Sequence, residues 1–475
     1  KERGFGFVIP KDPSANDIFI SKENMNDAMN RDLVLVHVTM KRNGTRQEGE
    51  IKRILDRNYT HVIGVLSYIK GQGVLRPDDK TIKQDVVIRK ENLEGAQRDD
   101  VVRAEIINYS YKGKIECKVT EILGNKNDAG VDVLSKILKH NVDPIFPPLV
   151  LLEANQFGDV TKEEKVGRVD LTKEKIITID GDDSKDFDDA VIVKKLDNGN
   201  YHLGVHIADV SHYVEKDSLL DMEAYDRGTS IYMPGRVIPM LPERLSNGVC
   251  SLKPNMERLT ISCDMEIDQT GKVVKYTIFP SVIESYQRMT YSKINKIFNG
   301  DVELSEKYVD LVEMFYDMRN LAKILGKKRE ESGSINFEYD ESYIKIGEDG
   351  KVESITLRER GISENIIEEF MLKANQVVAE HIYWLNLPFI YRVHDKPKEE
   401  KLQRLIRMST ALGYKIKAKT EISNFELQKL LDSVKGKEAE KGINLLVLRS
   451  MQKAIYSEQS IGHYGLNFRF YTHFT

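Results

Sequence analysis

The sequence predicts a multidomain chain: two small β-barrels in succession, a short helical linker, and a larger α+β domain. Three observations carry this. Residues 1–124 are short β-rich segments separated by turn residues, laid out twice on one plan. From about residue 165 strands mix with long helical patterns. Between them in kind stands Ile177-Thr-Ile-Asp-Gly-Asp-Asp-Ser-Lys-Asp-Phe-Asp-Asp-Ala, an acidic run flanked by apolar β-branched residues.

In the first barrel, residues 1–56, Gly4-Phe-Gly-Phe-Val-Ile alternates apolar side chains. Asp17-Ile-Phe-Ile follows a loop with Pro and Asn, and Leu33-Val-Leu-Val-His-Val is a further strand. The second, residues 57–124, repeats the plan with His61-Val-Ile-Gly-Val-Leu, Gly71-Gln-Gly-Val-Leu, Asp85-Val-Val-Ile and Val101-Val-Arg-Ala-Glu-Ile. Short alternating strands at this spacing are those of small closed sheets. Residues 125–164 form a linker with a helix over Val131 to His140 and a Pro-rich connector from Pro144 to Pro148. Over residues 165–475, strands are expected at 175–180, 189–195, 201–208 and 259–267, with a hairpin around Asp268-Gln-Thr-Gly. Helices are expected at 305–331, 363–384, 398–412 and 441–457, completing an α+β domain.

With 475 residues, 40% hydrophobic and 31% charged, the chain is long enough for several cores and has a well-solvated surface. No run of about eighteen apolar residues is present, so no transmembrane helix and no membrane partner are expected. The N-terminal residues lack a signal peptide's apolar stretch and an initiator Met, so the chain is expected to begin inside a longer protein. Cys117, Cys250 and Cys263 have no metal-ligand spacing and read as buried thiols of a cytoplasmic protein. The net charge of −4 neither announces nor excludes a nucleic-acid partner, because steering depends on where charge lies.

The acidic run places six carboxylates between Asp180 and Asp189, with Lys185 alone to offset them. Such crowding is unfavourable unless the segment is fully solvated or faces cations. The strands predicted on either side, Lys175-Ile-Ile-Thr-Ile and Ala190-Val-Ile-Val, argue against a solvated tail. Acids at the end of a core strand suit hard divalent cations, Mg²⁺ or Mn²⁺, with open positions for a phosphate substrate. An EF-hand loop fails, since its sixth position needs Gly and holds Lys185. A phosphatase with an Asp nucleophile would use Asp180 and Asp182 and leave Asp186, Asp188 and Asp189 without a role.

Phe5 and Phe7 share one face of a strand, with Gly4 and Gly6 allowing close approach, and Phe19 stands on the next strand. This pattern resembles the paired ribonucleoprotein motifs of cold-shock domains, whose exposed rings stack single-stranded bases. The second barrel has Gly71-Gln-Gly-Val-Leu at the matching place and lacks those rings. His206, with apolar strand neighbours, reads as a core histidine, and Asp209 and His212 are treated alike.

Four longer stretches widen the resemblance: Thr178-Ile-Asp-Gly-Asp-Asp-Ser-Lys-Asp-Phe-Asp-Asp-Ala, Val205-His-Ile-Ala-Asp-Val-Ser-His-Tyr-Val, Ile238-Pro-Met-Leu-Pro-Glu-Arg-Leu-Ser-Asn and Cys250-Ser-Leu-Lys-Pro-Asn. These resemble the catalytic domain of the ribonuclease II/ribonuclease R family, the acidic run standing nearer the bacterial ribonuclease R branch. The resemblance implies two OB-fold cold-shock domains followed by an α+β RNB catalytic domain that is C-terminally incomplete. It implies a processive, hydrolytic 3′→5′ exoribonuclease releasing nucleoside 5′-monophosphates. It also implies Mg²⁺ or Mn²⁺, a partner of single-stranded RNA with a free 3′ end, a monomer, and no small-molecule cofactor. On the family's pattern Asp180, Asp186, Asp188 and Asp189 fall on the catalytic aspartates, and Asp182 and Asp183 on more variable positions. Tyr232, in Thr229-Ser-Ile-Tyr-Met-Pro-Gly-Arg, falls on the ring at the RNA 3′ end, and Phe337 on the ring closing the base stack. Tyr291 and Glu368 fall on residues that favour ribose over deoxyribose. The family's next motif after Tyr471-Thr-His-Phe-Thr475 carries an arginine, followed by an S1 domain; neither is in this chain, which is expected to be a fragment of a longer enzyme.

Two divalent ions roughly 3.5–4 Å apart would activate water, neutralise phosphate oxygens and stabilise the leaving 3′-oxygen. Asp180 and Asp189 are expected as principal ligands of the first, helped by Asp186, with Asp188 serving the second ion or the attacking water. The alternative is a non-catalytic single-stranded RNA-binding fragment that uses its cold-shock domains.

Overall fold

The computed structural model describes residues 5–12, 15–39, 47–111, 113–140, 142–335, 341–357, 360–418 and 421–475. The chain divides into two compact units. One comprises Lys1–Phe146 with Ser230–Ile238 and Ile344–Thr356; the other comprises Pro147–Thr229, Pro239–Tyr343 and Leu357–Thr475.

In the first unit the N-terminal strands Gly6–Val8, Ile18–Ile20, Leu33–Thr39 and Glu48–Asp56 form a four-stranded sheet in which the fourth strand lies between the second and third. Alternation decides its two faces. Ile18 and Ile20 point inward to a core with Ile51, while Phe19 between them points outward, paired in register with Phe7. The following five strands, from His61–Ile69 to Lys114–Asn125, close into a barrel around Leu66, Val86, Val102, Ile115 and Cys117. Gly64 lets two strands touch: a Cβ there would stand 2.1 Å from the Arg76 carbonyl oxygen. The expected linker helix forms over Val131–Lys139 and rests on this barrel, with Lys136 Nζ 3.2 Å from Asp78.

The second unit is built on a sheet of seven strands. Its main strands are β1 (Ile177–Asp180), β2 (Asp189–Lys195), β3 (Tyr201–Ala208), β4 (Glu257–Ile267), β5 (Val273–Glu284) and β6 (Gln287–Thr290). The order runs from a short edge strand, Val169–Asp170, through β5, β4, β3, β2 and β1 to β6. β6 runs parallel to β1, and β1 to β5 pair antiparallel along the middle of the sheet. One face is apolar. Ile177, Ile179, Val191, Val193, Leu203, Val205, Met265 and Met289 pack there against Phe315 of the helix Val309–Glu331 and Phe370 of the helix Ile362–Trp384. We label these helices α2 and α3, and α1 is Tyr291–Phe298, which follows β6 directly.

Two expected helices differ. The one over 305–331 is interrupted at Tyr308, whose backbone (φ −113°, ψ 30°) leaves the helical region while its ring is buried in the core. The one over 441–457 ends at Ser450; Met451 is extended, and Ile455–Ser457 pairs with Tyr391–Val393. Apolar spacing continues across that break, but the β-branched and aromatic residues beyond it find a strand partner remote in sequence. The helix Asn424–Val434 and the hairpins Ile231–Met233/Arg236–Ile238 and Ser342–Ile346/Val352–Leu357 were not anticipated.

The opposite side of the sheet carries a buried polar chain. His206 Nδ1 lies 2.6 Å from Ser262 Oγ, which lies 2.5 Å from Ser281 Oγ, itself 2.6 Å from Thr260 Oγ1. His206 is 1% exposed, its Nε2 has no hydrogen-bond partner, and burial lowers its pKa to about 4. In the unfolded chain the ring takes up a proton near pH 6.5. Between these values the unfolded state binds more protons, so the His206 contribution to stability is lost as pH falls from about 6.5 towards about 4. The stability gap between the parent and His206→Asn should therefore narrow by on the order of 1–2 kcal/mol from pH 7 to pH 5 in urea unfolding. A gap independent of pH would show that His206 does not titrate on unfolding.

Candidate active site

The strand β1 is buried along Ile177-Thr-Ile and delivers Asp180 at its end, level with Thr290 of β6. The chain returns antiparallel in β2, which starts at Asp189. The acidic run is thus the connection between neighbouring strands, anchored at both ends by sheet. Its second half is pinned from below. Ser251 Oγ accepts from Phe187 N at 3.1 Å and donates to the Lys185 carbonyl at 2.9 Å. The backbone N–H of Leu252 donates to Phe187 O at 2.8 Å, and Ala208 N donates to Asp188 O at 3.0 Å. Ser251 belongs to the Cys250-Ser-Leu-Lys-Pro-Asn stretch and is fully buried; its part in holding the acids was not legible in the sequence.

Electrostatics divides the six acids. Burial, then the charges of Asp189 and Asp188, push Asp180 up to about 8, with Asp186 adding and Arg288 opposing. Burial, then Asp188, pushes Asp189 up to about 6. Burial, then Asp186, raises Asp188. These acids therefore feel one another, Asp180 and Asp189 partly buried and Asp188 reaching solvent, as shifted acids at functional sites do. Asp182 differs: burial is outweighed by hydroxyl bonds from Ser292 and Thr290 and by Lys293 and Arg288, and its pKa is lowered. Ser292 Oγ donates to Asp182 at 2.7 Å, and Tyr343 Oη donates to Asp183 at 3.2 Å. Asp182 and Asp183 are thus both occupied by hydroxyls.

The fit to a divalent ion rests on the donors. Asp180 Oδ2 is buried without a hydrogen-bond partner, an acceptor left for something the protein does not supply. Among the described residues no three His, Cys, Asp or Glu side chains are grouped to hold an ion by themselves. Mg²⁺ commonly takes one or two carboxylates and fills its octahedron with water and substrate phosphate. The cluster suits that mode, not an all-protein cage.

The remaining expected residues are spread more widely. Phe5, Phe7 and Phe19 form a triangle on the outer face of the first sheet, with ring centroids 5.8, 5.5 and 5.7 Å apart. Tyr232 is 65% exposed on its hairpin, which belongs to the unit containing the N-terminal sheet and the closed barrel, whereas the aspartates belong to the other. Phe337 lies outside the described residues. Tyr291 opens α1, and its carbonyl accepts from Ser363 Oγ at the start of α3 at 3.1 Å. Glu368 is exposed on α3, 3.8 Å from Arg360. His206 is a core residue, as expected; Asp209 is buried and pairs with the partly buried Arg168 at 2.6 Å, and His212 lies 2.9 Å from Glu164. Arg288, which no motif singled out, donates to three carbonyls of the acidic loop.

The matches to known proteins follow the same division. An RNB domain model matches residues 168–475, a cold shock domain model residues 75–147, and a ribonuclease B OB domain model residues 1–54. The chain belongs to the RNB-domain family. Within that family its similarity is to bacterial ribonuclease R. Ribonuclease R of Thermotoga maritima is 44% identical over 474 residues, covering 99% of this chain and 66% of its own length. That of Escherichia coli K12 is 35% identical, covering 99% of this chain and 58% of its own. The chain thus spans roughly three-fifths of the length of these curated relatives. Mycoplasma genitalium RNase R, solved in complex with ribose-methylated single-stranded RNA, matches with a TM-score of 0.91 at 27% identity over 99% of this chain and 74% of that one. Yeast Ssd1, a pseudonuclease, shares the fold at a TM-score of 0.72 and 20% identity, over all of this chain and 65% of its own.

No helix among the described residues is long and apolar enough to cross a membrane.

Neighbouring glutamates on α3 offer a test of what is site and what is scaffold. Glu369 is buried and accepts from Arg329 Nε and Nη2 at 2.9 and 2.6 Å, whereas Glu368 faces solvent. Glu369→Ala should cost about 3–5 kcal/mol of unfolding free energy by stranding a buried charge. Glu368→Ala should stay within about 0.5 kcal/mol of the parent. Equal losses in denaturant titrations would contradict this division.

Proposed function

We propose that the chain hydrolyses RNA processively from its 3′ end, releasing nucleoside 5′-monophosphates, with Mg²⁺ or Mn²⁺ held at Asp180, Asp186, Asp188 and Asp189. The observation that carries this is the buried, unpartnered Asp180 Oδ2 among mutually repelling carboxylates at the ends of β1 and β2 in an RNB domain. When bound, divalent ions supply an activated water and neutralise charge on the scissile phosphate and the leaving 3′-oxygen. Asp180 and Asp189, on adjacent strands, present carboxylates in fixed directions, and Asp186 adds to them. Asp188 would position the second ion or orient the attacking water. The ring faces of Tyr232, Phe337 and the Phe5–Phe7–Phe19 triangle stack bases, and Tyr291 and Glu368 meet the ribose. Because stacking and sugar contacts do not read base edges, digestion is independent of sequence. The working species is a cytoplasmic monomer acting on single-stranded RNA.

The direct experiment gives the chain 5′-labelled oligo(A) with Mg²⁺ and, in parallel, with EDTA. The expected result is shortening from the 3′ end together with release of adenosine 5′-monophosphate, abolished by EDTA. Tight binding without release would favour a non-catalytic RNA-binding module. Hydrolysis of small phosphomonoesters with RNA left intact would favour a phosphatase.

Asp188→Asn removes a charge at the reacting centre without touching the stacking rings. It should abolish cleavage while RNA affinity, by fluorescence anisotropy, stays near that of the parent. A rate within about tenfold of the parent, or about 1.4 kcal/mol of barrier, would remove Asp188 from the chemistry.

Glu368→Ala should lower the ratio of RNA to DNA cleavage more than it slows RNA cleavage. A carboxylate can accept from a 2′-OH, and a site built for that bond loses about 1–3 kcal/mol when deoxyribose leaves it unmet. An unchanged ratio on matched RNA and DNA oligomers would leave Glu368 as a solvent-facing helix acid paired with Arg360.

A further inference from the structure

Four crowded aspartates need their connecting loop held in one shape, yet a cation paired to them directly would consume the oxygens they need for catalysis. Arg288 meets both conditions. It stands on β6 level with Thr178 of β1, two residues before Thr290, which is level with Asp180. Its Nη2 donates to the main-chain carbonyl oxygens of Gly181 at 3.2 Å, Asp182 at 2.7 Å and Ser184 at 3.3 Å. Its guanidinium carbon lies 5.1 Å from the centroid of Phe187, the ring between Asp186 and Asp188. Phe187 is buried, and its backbone is held from the other side by Ser251 and Leu252. Among the described residues the hydrogen bonds of Arg288 go to carbonyls and to no carboxylate, and its Nε is buried without a partner.

We propose that Arg288 is a positioning residue of the nuclease site: it fixes the Gly181–Ser184 loop by its carbonyls and the Phe187 ring by its planar face, and so sets the directions of Asp180, Asp186 and Asp188. This rests on the cluster being the hydrolytic site proposed above. The charge also offsets the crowded acids, opposing the raised pKa of Asp180, without a hydrogen bond from Arg288 to any carboxylate among the described residues. A lysine in this place cannot do the same, because an ammonium is a compact point charge without a planar fork.

The test compares the parent chain with R288M and R288K. Mn²⁺ binding is measured by electron paramagnetic resonance without RNA, hydrogen exchange is followed over residues 181–187, and kcat and KM are measured on oligo(A). In R288M, Mn²⁺ affinity and kcat should each fall about 10- to 100-fold, the usual range for a residue that orients ligands. The KM for RNA should stay within about threefold, since the stacking contacts are untouched. Exchange should quicken in the loop and not in β2 or β3. R288K should resemble R288M. Parent-like Mn²⁺ affinity and kcat in R288M would overturn the proposal, as would full recovery of both in R288K, which would make charge alone sufficient. If R288M does not fold, R288K against the parent decides in the same way. Should the parent release no nucleotide, the hydrolytic reading fails, while Mn²⁺ affinity and loop exchange still decide the role of Arg288.

Discussion

Desolvation of like charges at the head of β1 and β2 is the constraint around which the RNB domain is arranged. A carboxylate removed from water strongly prefers to be neutral, and neighbouring carboxylates deepen that preference. Asp180, pushed up to about 8, carries the clearest mark of it. Left to itself such a segment would move into solvent or take up protons. Its two ends are held, because they are residues of adjacent, paired strands inside the sheet. The apolar face of those strands is packed against α2 and α3 by Phe315 and Phe370, both fully buried. Packing energy far from the acids thus sustains an arrangement that is locally unfavourable, a pattern typical of functional sites.

The surroundings reinforce this with neutral or already compensated groups. Beneath the acidic loop, Ser251 uses its hydroxyl both as acceptor and as donor, so the turn at Lys185–Phe187 is fixed without another charge. On the polar side of the sheet, His206 joins Ser262, Ser281 and Thr260 in a chain of hydrogen bonds, and burial keeps the imidazole neutral. A protonated His206 there would add charge to the domain interior beside β2. Arg168 and Asp209 lie close by and cancel one another, with Arg168 also reaching the Thr260 carbonyl at 3.4 Å.

Much of this was legible in the sequence, and the parts that were not share a cause. β1, β2 and β3 were predictable because buried strands are written locally, as runs of β-branched residues next to one another. The same holds for α3 and for Phe5, Phe7 and Phe19, whose outward placement follows from alternation with Ile18 and Ile20. The helix ending at Ser450 was overextended because its terminus depends on a strand pairing with Tyr391–Val393, about sixty residues earlier. Ser251 and Arg288 were missed for a similar reason: they act on the acidic loop from separations of 64 and more residues. Neither has a local pattern to announce it. Their roles exist only as backbone contacts made by the fold.

Acidic residues alone could not have been sorted by type or by neighbours in sequence; what sorts them is the partner each finds. Asp209 and Glu369 are as buried as any acid of the cluster, yet each meets an arginine 41 or 40 residues away and is scaffold. Asp182 and Asp183 lie within the acidic run itself, yet each is taken by a hydroxyl. Burial with a partner is structure; burial without one must be justified by something the folded chain does not contain. By that criterion Asp180, with its orphaned buried oxygen, stands apart from the other acids of the run. The guanidinium of Arg288 sharpens the contrast, since it comes near enough to oppose the raised pKa of Asp180 and yet spends its hydrogen bonds on carbonyls. A fold selected only for stability would have closed that gap with an ion pair.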